Sequence, residues 1–371
     1  MTETTHENNG DTEQYAASQW LLIWWKFRKH RLAMGAGVVI LWLYLITIFC
    51  EVLAPYTLES YKIDFAYAPP QRLRIFSEEG VHLRPFVYGL KGVRDPVTLR
   101  KIYAEDRTKS YQLRFFVRGE PYRFLGLFDA DVRLIGVEDG GTLFLLGTDH
   151  LGRDLLSRIL YGARISLTIG LIGVLMSFFL GLIVGVVSGY YGGWVDNLIQ
   201  RFIEIIRSFP SIPLWMALGA ALPADWSPLQ IYLGITVVLS LVGWTGLARQ
   251  VRGKILSLRD EDFAVAARLA GASQWRIMTR HLLPSFMSHI IVSLTLSVPG
   301  MILGETALSF LGLGLRAPIT SWGVLLREAQ HVQAIAFHPW LLTPVIFVII
   351  TVLAFNFIGD GLRDAADPYA V

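Results

Sequence analysis

Six long apolar stretches constrain the fold of this chain more than any other feature of its sequence. A helix needs about 20 largely apolar residues to cross a hydrocarbon layer of ~30 Å, because each residue rises only ~1.5 Å. The stretches that meet or approach this length are 33–52, 165–190, 209–222, 229–248, 286–308 and 341–359. The third is short and contains Pro210 and Pro213, which a membrane tolerates only where neighbouring helices satisfy the freed backbone groups. We therefore expect an all-α integral membrane protein with six transmembrane helices.

The composition supports a membrane location. Hydrophobic residues make up 53% of the 371 residues and charged residues 17%, against about 25% charged residues in a soluble domain. The mean hydropathy is +0.46. One globule of this length cannot bury so much apolar surface, so part of it must face lipid. The net charge of +3 does not indicate nucleic-acid binding, and the single cysteine, Cys50, excludes an intrachain disulfide.

The distribution of basic residues predicts the orientation, because short cytoplasmic loops are enriched in lysine and arginine. Lys26, Arg28, Lys29 and Arg31 precede the first stretch, and residues 249–281 contain six arginines. Residues 1–19 are polar and acidic, unlike the basic start of a cleaved signal peptide, so we expect the first stretch to remain as an anchor. Both termini are then cytoplasmic. These features divide the chain into a cytoplasmic segment 1–32, a first transmembrane helix 33–54, an extracytoplasmic lobe 55–164, a five-helix core 165–360 with a cytoplasmic loop 249–284, and a cytoplasmic tail 361–371.

The extracytoplasmic segment carries a strand-like pattern. From Tyr111 to Gly147, apolar and polar residues partly alternate. Turn signals occur at residues 119–121 (Gly-Glu-Pro) and 139–141 (Asp-Gly-Gly). Alternation bounded by such residues is typical of short strands joined by tight turns. We therefore expect a small β-rich lobe after the first transmembrane helix.

The most informative segment is the loop AVAARLAGASQWRIMTRHLLP, residues 264–284. Its first part favours a helix, and Gly271 is expected to end that helix because glycine readily adopts the left-handed conformation. Ser273 is expected to cap a second short helix that runs towards His281, and Pro284 marks the return to the membrane. Two helices joined by a glycine elbow form a rigid knob that suits docking into another protein. Taken alone, the loop is also consistent with an amphipathic segment on anionic lipid.

This loop resembles the EAA loop of binding-protein-dependent ABC permeases, whose pattern is Glu-Ala-Ala, three residues, Gly, nine residues, an apolar position, any residue, Leu, Pro. Ala266, Ala267, Gly271 and the pair Leu283-Pro284 match it. Val265 stands where the glutamate is usual, and His281 stands at the apolar position. The resemblance implies that the loop couples the permease to an ATPase through Ala266, Ala267, Gly271, Ala272, Ser273, Leu283 and Pro284.

Other stretches resemble the second permease of oligopeptide and dipeptide ABC importers. They are residues 146–167, 189–214, 304–315 and 356–368, together with the first-helix region that begins at FRKHRLAMG. The resemblance implies a type I importer core in a prokaryotic inner membrane. Its partners would be a second homologous permease, two ATP-binding subunits and an extracytoplasmic solute-binding protein. The implied cargo is peptides, with opines, oligosaccharides or metal chelates as alternatives.

Four charged residues at the outer ends of the predicted helices are candidates for a gate or a subunit interface. They are Asp149, Arg153, Asp154 and Glu305. The first three precede the second apolar stretch, where a solvated elbow with Asp–Arg pairing is the alternative interpretation, each exposed pair contributing under ~1 kcal/mol. Glu305 lies near the end of the fifth stretch, where the carboxylate faces either water or the interior of the bundle.

Enzymatic functions find little support in the sequence. It contains no G-x-x-x-x-G-K-[ST] phosphate-binding loop and no H-E-x-x-H or paired Cys/His motif. We therefore expect no catalytic residues and no metal site, with ATP and magnesium bound by the partner ATPase subunits rather than by this chain. A passive channel is the competing function, and an ATPase and a solute-binding protein encoded nearby would favour the transporter.

Overall fold

The computed structural model describes residues 19–77, 80–96, 101–138, 140–223, 225–316 and 318–367. Within these residues the chain is mostly helical, with one four-stranded antiparallel sheet. The longer helices are α1 (Gln19–Lys29), α2 (Arg31–Ile48), α4 (Leu155–Tyr191), α5 (Gly193–Ser208), α6 (Ser211–Ala220), α7 (Pro228–Leu258), α8 (Asp262–Leu269), α11 (Met287–Phe310) and α14 (Thr343–Ala366). The short helices are α3 (Cys50–Leu53), α9 (Gln274–Arg276), α10 (Leu283–Ser285), α12 (Trp322–Arg327) and α13 (Val332–Phe337).

Among the described residues, five helical segments are long and apolar enough to cross a membrane. They are α2, α4, α7, α11 and the segment Pro339–Ala366 that contains α14. The expected third span, residues 209–222, instead forms the ten-residue helix α6, which is apolar but shorter than a crossing requires. Pro210 occupies the position before the first turn of α6, and Pro223 follows shortly after its end, so the two prolines limit its length.

The long helices α4 and α7 pack unusually closely, because glycines line their contact. Gly181, Gly185 and Gly189 recur every four residues along α4. A Cβ atom at Gly185 would lie 2.6 Å from the carbonyl oxygen of Ala248, and one at Gly189 would lie 2.8 Å from that of Arg252. Small residues let a second helix approach closely, and here that helix is α7.

The core of the bundle lies where α4, α7, α11 and the α12 segment meet. Its fully buried side chains include Leu167, Leu239, Ile302 and Trp322. The Trp322 indole N–H donates to the carbonyl oxygen of Ile159 across 3.2 Å, so this large side chain is both buried and satisfied.

The expected β-rich lobe is present, but its strands are longer than predicted. The strands are β1 (Arg74–Ser77), β2 (Gly80–Arg94), β3 (Lys101–Phe124) and β4 (Phe128–Val137), paired in that order. The predicted turn at residues 119–121 is wrong, because it lies inside β3, where the pairing register shifts between Arg118 and Tyr122. The Glu120 carboxylate accepts hydrogen bonds from Thr57 and Ser60, both at 2.7 Å, and these contacts hold the bulge in place. The turn that joins β3 and β4 is instead at residues 125–127. Asp139, part of the second predicted turn, lies outside the described residues.

A buried arginine fastens the lobe to the end of the first long helix. Arg133 in β4 donates from Nη1 to the carbonyl oxygen of Ala54 at 2.7 Å and from Nη2 to that of Glu120 at 3.1 Å. Glu51 in α3 is also buried and forms a two-pronged ion pair with Arg164 of α4, at 2.6 and 2.7 Å. The lobe is therefore linked to the end of α3 by hydrogen bonds from a buried guanidinium group, and α3 is linked to α4 by an ion pair.

Candidate functional site

The loop between α7 and α11 (residues 259–286, here the Gly271 loop) contains a turn that backbone hydrogen bonds hold in place. Helix α8 ends in a Schellman motif, in which Ala272 N donates to the Ala267 oxygen and Gly271 N to the Arg268 oxygen, both at 3.1 Å. Gly271 has φ of +80°, a conformation that a side chain disfavours. A Cβ atom there would have no atom of the chain within 4 Å. The glycine is thus required by its backbone conformation and not by lack of space.

The second half of the loop also follows the predicted pattern. The Ser273 hydroxyl accepts a hydrogen bond from Arg276 N at the start of α9, as expected for an N-cap. The chain then continues through a π-helix, Ile277–Leu282, and through α10 into α11. The wider π-helical turn is the one part of this loop that the sequence pattern did not indicate.

The Gly271 loop is anchored on one side and bare on the other. Its buried side chains, Ala264, Ile277 and Leu282, pack against Val251 and Ile255 of α7 and against Phe286 and Ile290 at the start of α11. On the opposite side, Leu269 is 85% exposed and Trp275 is 72% exposed. Large apolar side chains that stay exposed in a charged loop are typical of a contact with another protein.

The predicted coupling residues are divided between these two sides of the loop. Ala267, Ala272 and Leu283 are half-buried and pack against the anchoring cluster. Ala266, Ser273 and Pro284 are exposed, as is Val265 at the position of the usual glutamate. Val265 therefore adds an apolar side chain to the bare side, where a glutamate would add a charge.

Asp149 and Arg153 meet in a buried ion-pair cluster (residues 149, 150, 153, 158 and 328, here the Asp149 cluster). Asp149 is fully buried, and its Oδ2 atom lies 2.6 Å from Arg153 Nε and also accepts from Arg158. Arg158 reaches Glu328, immediately after α12, at 3.0 Å. The predicted Asp–Arg pairing is present, but its setting is buried rather than solvated. It joins the segment before α4 to the segment after α12.

His150 extends the Asp149 cluster towards solvent. Its Nδ1 atom lies 3.1 Å from Glu328 Oε2. The hydrogen bond with Glu328 raises the pKa of His150 above its usual value of 6.5, although burial opposes this. Burial raises the pKa of Glu328, but His150 and Arg158 offset this, so that the pKa lies below its usual value of 4.5. Asp149, His150 and Glu328 have ligand atoms within 4.8 Å of one another, as a metal site would. Two guanidinium groups already occupy these carboxylates, which disfavours a cation there.

Asp154 has a different role from its neighbours. It caps α4, and its Oδ2 atom accepts from both the amide and the hydroxyl of Ser157 at 2.7 Å. Its Oδ1 atom is buried without a partner. Burial raises the pKa of Asp154 to about 7, so the carboxyl group holds its proton far more readily than an exposed aspartate does.

Glu305 is fully buried in α11 among three buried serines, and no cationic side chain of the described residues pairs with it. Its Oε1 atom accepts from Ser309 at 2.7 Å and from Ser321 at 2.6 Å, and its Oε2 atom accepts from Ser166 at 3.2 Å. The serines come from α11, from the N-cap of α12 and from α4. Of the two locations left open for this carboxylate, the structure shows the bundle interior.

Sequence reasoning identified neither Glu328 as a partner of Arg158 nor the serines that surround Glu305. Arg158 and Glu328 are 170 positions apart, and Ser166 and Glu305 are 139 positions apart. No spacing rule connects residues so distant. The only available signal was the presence of isolated carboxylates near apolar stretches.

Comparisons with known proteins match most of the chain. Residues 153–370 match the family described as "Binding-protein-dependent transport system inner membrane component", and residues 18–70 match the "N-terminal TM domain of oligopeptide transport permease C". The dipeptide transport system permease protein DppC of Bacillus subtilis is 42% identical over 227 residues, which cover 60% of this chain and 68% of the relative. The oligopeptide transport system permease protein OppC of Haemophilus influenzae is 44% identical over 223 residues, covering 60% and 69%. A solved structure of the MetNI methionine ABC transporter in inward-facing form has a TM-score of 0.45 at 19% identity, covering 56% of this chain and 95% of that one.

Proposed function

This chain belongs to the family of inner membrane components of binding-protein-dependent transport systems, and from that premise we propose that it imports peptides as one of two permease subunits in an ATP-driven complex. The second permease would be a homologue of this chain. Two cytoplasmic ATPase subunits would bind ATP and magnesium, while this chain itself catalyses no reaction. An extracytoplasmic solute-binding protein would deliver the cargo. The names of the dipeptide and oligopeptide permeases among its relatives support peptides as the cargo.

The observation that carries this proposal is the bare apolar side of the Gly271 loop. Leu269 and Trp275 project from a loop whose backbone is fixed by the Schellman motif and the Ser273 cap. A rigid element with exposed apolar anchors suits insertion into a cleft of a partner. The arginines around it support a cytoplasmic location for this loop, and the crossings by α11 and α14 that follow return the C-terminus to the same side. A cytoplasmic N-terminus, which the basic residues before α2 support, additionally requires α6 to complete a crossing.

The packing beneath the loop supports a mechanism for coupling. The same buried cluster contacts α7 through Val251 and Ile255 and α11 through Phe286 and Ile290. A displacement of the docked loop would therefore move two long helices together, because tightly packed side chains transmit strain rather than absorb it. ATP binding that draws the two ATPases together would in this way shift the two permeases between inward-open and outward-open packings.

Reconstitution tests the proposal. The chain is purified alone and also with the permease and ATPases encoded beside it, and each preparation is placed in liposomes that contain ATP and magnesium. With the solute-binding protein outside, labelled peptide should enter only the liposomes that hold the complete complex. Flux through the isolated chain would contradict the proposal and indicate a channel. If the solute-binding protein bound other solutes and not peptides, the proposed cargo would be wrong, and the rest of the proposal would stand.

A further inference from the structure

The turn that joins β3 and β4 is apolar throughout. Residues 124–128, here the hairpin tip, read Phe-Leu-Gly-Leu-Phe. Leu127 is 69% exposed and Phe128 is 67% exposed. Leu125 has φ of +50°, a conformation that turns usually assign to glycine, asparagine or aspartate. Three of these apolar side chains, Leu125, Leu127 and Phe128, are therefore left exposed at the tip, as is typical of a surface that contacts an apolar environment.

The contacts of the hairpin show where this tip points. Arg133, five residues after the tip on β4, contacts the carbonyl oxygen of Ala54. In the tip itself, Leu125 N donates to the Glu51 carboxylate at 3.3 Å, and the Phe124 ring stacks on Phe49 with centroids 5.9 Å apart. From Arg133 to the tip, the residues that the hairpin contacts therefore run from Ala54 back to Phe49, towards α2. The hairpin approaches the membrane-spanning helix at the end where its apolar span stops.

The surface around the tip is arranged like a membrane boundary. Arg123 and Asp129 flank the tip on the two strands and lie 3.3 Å apart, both largely exposed. Beside the tip, Ile48 and Phe49 at the end of α2 are also exposed. The apolar tip is therefore continuous with the outward-facing surface of a spanning helix, and a pair of charges on the two strands bounds it. Charged side chains at such a boundary lie at the level of the lipid headgroups.

We propose that the hairpin tip inserts into the lipid leaflet on the lobe's side of the membrane and anchors the lobe there. The occupant of this surface is lipid rather than protein, because the tip is a convex, uncharged projection that continues a lipid-facing helix. Apolar groups of this kind enter the boundary between headgroups and acyl chains to a depth of about 5–10 Å. The proposal depends on α2 crossing the membrane and not on the direction or cargo of transport.

Spin labels on the hairpin of the full-length chain test this in lipid nanodiscs, with the assembled complex. A nitroxide is attached at Leu127→Cys and, as a matched control, at Val132→Cys. Val132 is exposed on β4, the strand that begins at Phe128 of the tip. At ~3.3 Å per residue it lies about 13 Å from Phe128 along that strand. Cys50 is fully buried, and the unsubstituted chain measures any labelling of it. Collisions with oxygen, which concentrates in hydrocarbon, are compared with collisions with a water-soluble nickel chelate.

The label at position 127 should collide more with oxygen than with the chelate, and the label at position 132 should show the reverse. This result should also hold for the chain reconstituted without its partners. Equal access of the chelate to both positions would overturn the proposal. Protection of position 127 from both reagents only in the assembled complex or with the solute-binding protein would also overturn it, because the tip would then contact protein. Neither result depends on whether the complex imports peptides.

Discussion

The Ser321 hydroxyl donates to the Glu305 carboxylate across 2.6 Å and so connects the start of α12 to the end of α11. The same hydroxyl oxygen accepts the Val324 amide at 3.2 Å. Ser309 and Ser166 repeat this arrangement, since they accept the amides of Leu315 and Trp322 while facing Glu305. Each hydroxyl proton is thereby directed at the carboxylate. Three oriented donors satisfy a buried carboxylate that no cation within the described part of the chain neutralises.

Glu305→Ala should destabilise the chain, because it leaves three buried hydroxyl groups without an acceptor. Each such group costs about 1–3 kcal/mol. Glu305→Gln should cost less, since one carbonyl oxygen remains as an acceptor. Thermal unfolding of the purified chain in detergent measures both. Ser297→Ala is the control, because that serine is exposed on the same helix and should change the free energy of unfolding by less than ~0.5 kcal/mol. Equal stability of Glu305→Ala and the control would show that the network does not hold α12 in place.

Uptake by Glu305→Gln separates a structural role from a gating role. A variant that stays folded at normal abundance but transports poorly would support the interpretation of Glu305 as part of a gate. Transport that falls only in proportion to abundance would instead assign the network to stability.

The Gly271 loop could be predicted in detail because its structure is encoded locally. Gly271 and Ser273 act on backbone groups within a few residues of themselves, and such rules need no knowledge of the fold. The sheet could be predicted as a lobe but not in its register. Residues 119–121 have the composition of a turn, yet contacts of Glu120 with Thr57 and Ser60, 63 and 60 positions away, hold them inside a strand. The same limit applies to the charged clusters, whose members meet only after the helices have packed.

His150 should make the stability of the Asp149 cluster depend on pH. Its pKa is raised in the folded chain, so its contribution is fully present below its usual value of 6.5 and is lost as pH rises through the higher folded value. Asp149, Arg153 and Glu328 are the charged groups that face it. The unfolding temperature should therefore be lower at about pH 8 than at about pH 6. The effect should stay below ~1 kcal/mol, since the imidazole is partly exposed.

His150→Gln is the matched control for this pH dependence. Asp154, whose raised pKa also lowers stability as pH rises from 3.8 towards 7, remains in both proteins. The difference between their pH profiles therefore isolates His150. Identical profiles for the two proteins would show that the proton on His150 does not stabilise the cluster.

Arg133→Met should detach the strand lobe while leaving the helical bundle folded. The methionine keeps the apolar stem but leaves the carbonyl oxygens of Ala54 and Glu120 without their buried donor. Limited proteolysis should then cut within residues 101–138 faster than in the parent protein. Arg118→Met is the control, because that side chain is largely exposed on the opposite strand. Unchanged cleavage in Arg133→Met would mean that the lobe is held by other contacts.

Gly271→Asp should abolish transport without removing the chain from the membrane. An added side chain at positive φ costs about 1 kcal/mol, and no atom of the chain lies within 4 Å of the new Cβ atom. That is too little to unfold the bundle. The carboxylate would, however, stand on the bare side of the loop next to Leu269 and Ala270, where an apolar docking surface is proposed, and burying it there without a partner is costly.

Gly271→Asn is the matched variant, because asparagine has nearly the same shape, tolerates positive φ and carries no charge. We expect Gly271→Asp to remain at near-normal abundance, to transport no peptide and to co-purify less ATPase, while Gly271→Asn retains part of each function and Ala272→Ser shows a milder effect than either. If Gly271→Asp lost its place in the membrane, Gly271 would be a folding residue. If Gly271→Asp transported normally with its ATPase bound, the Gly271 loop would not be the coupling element.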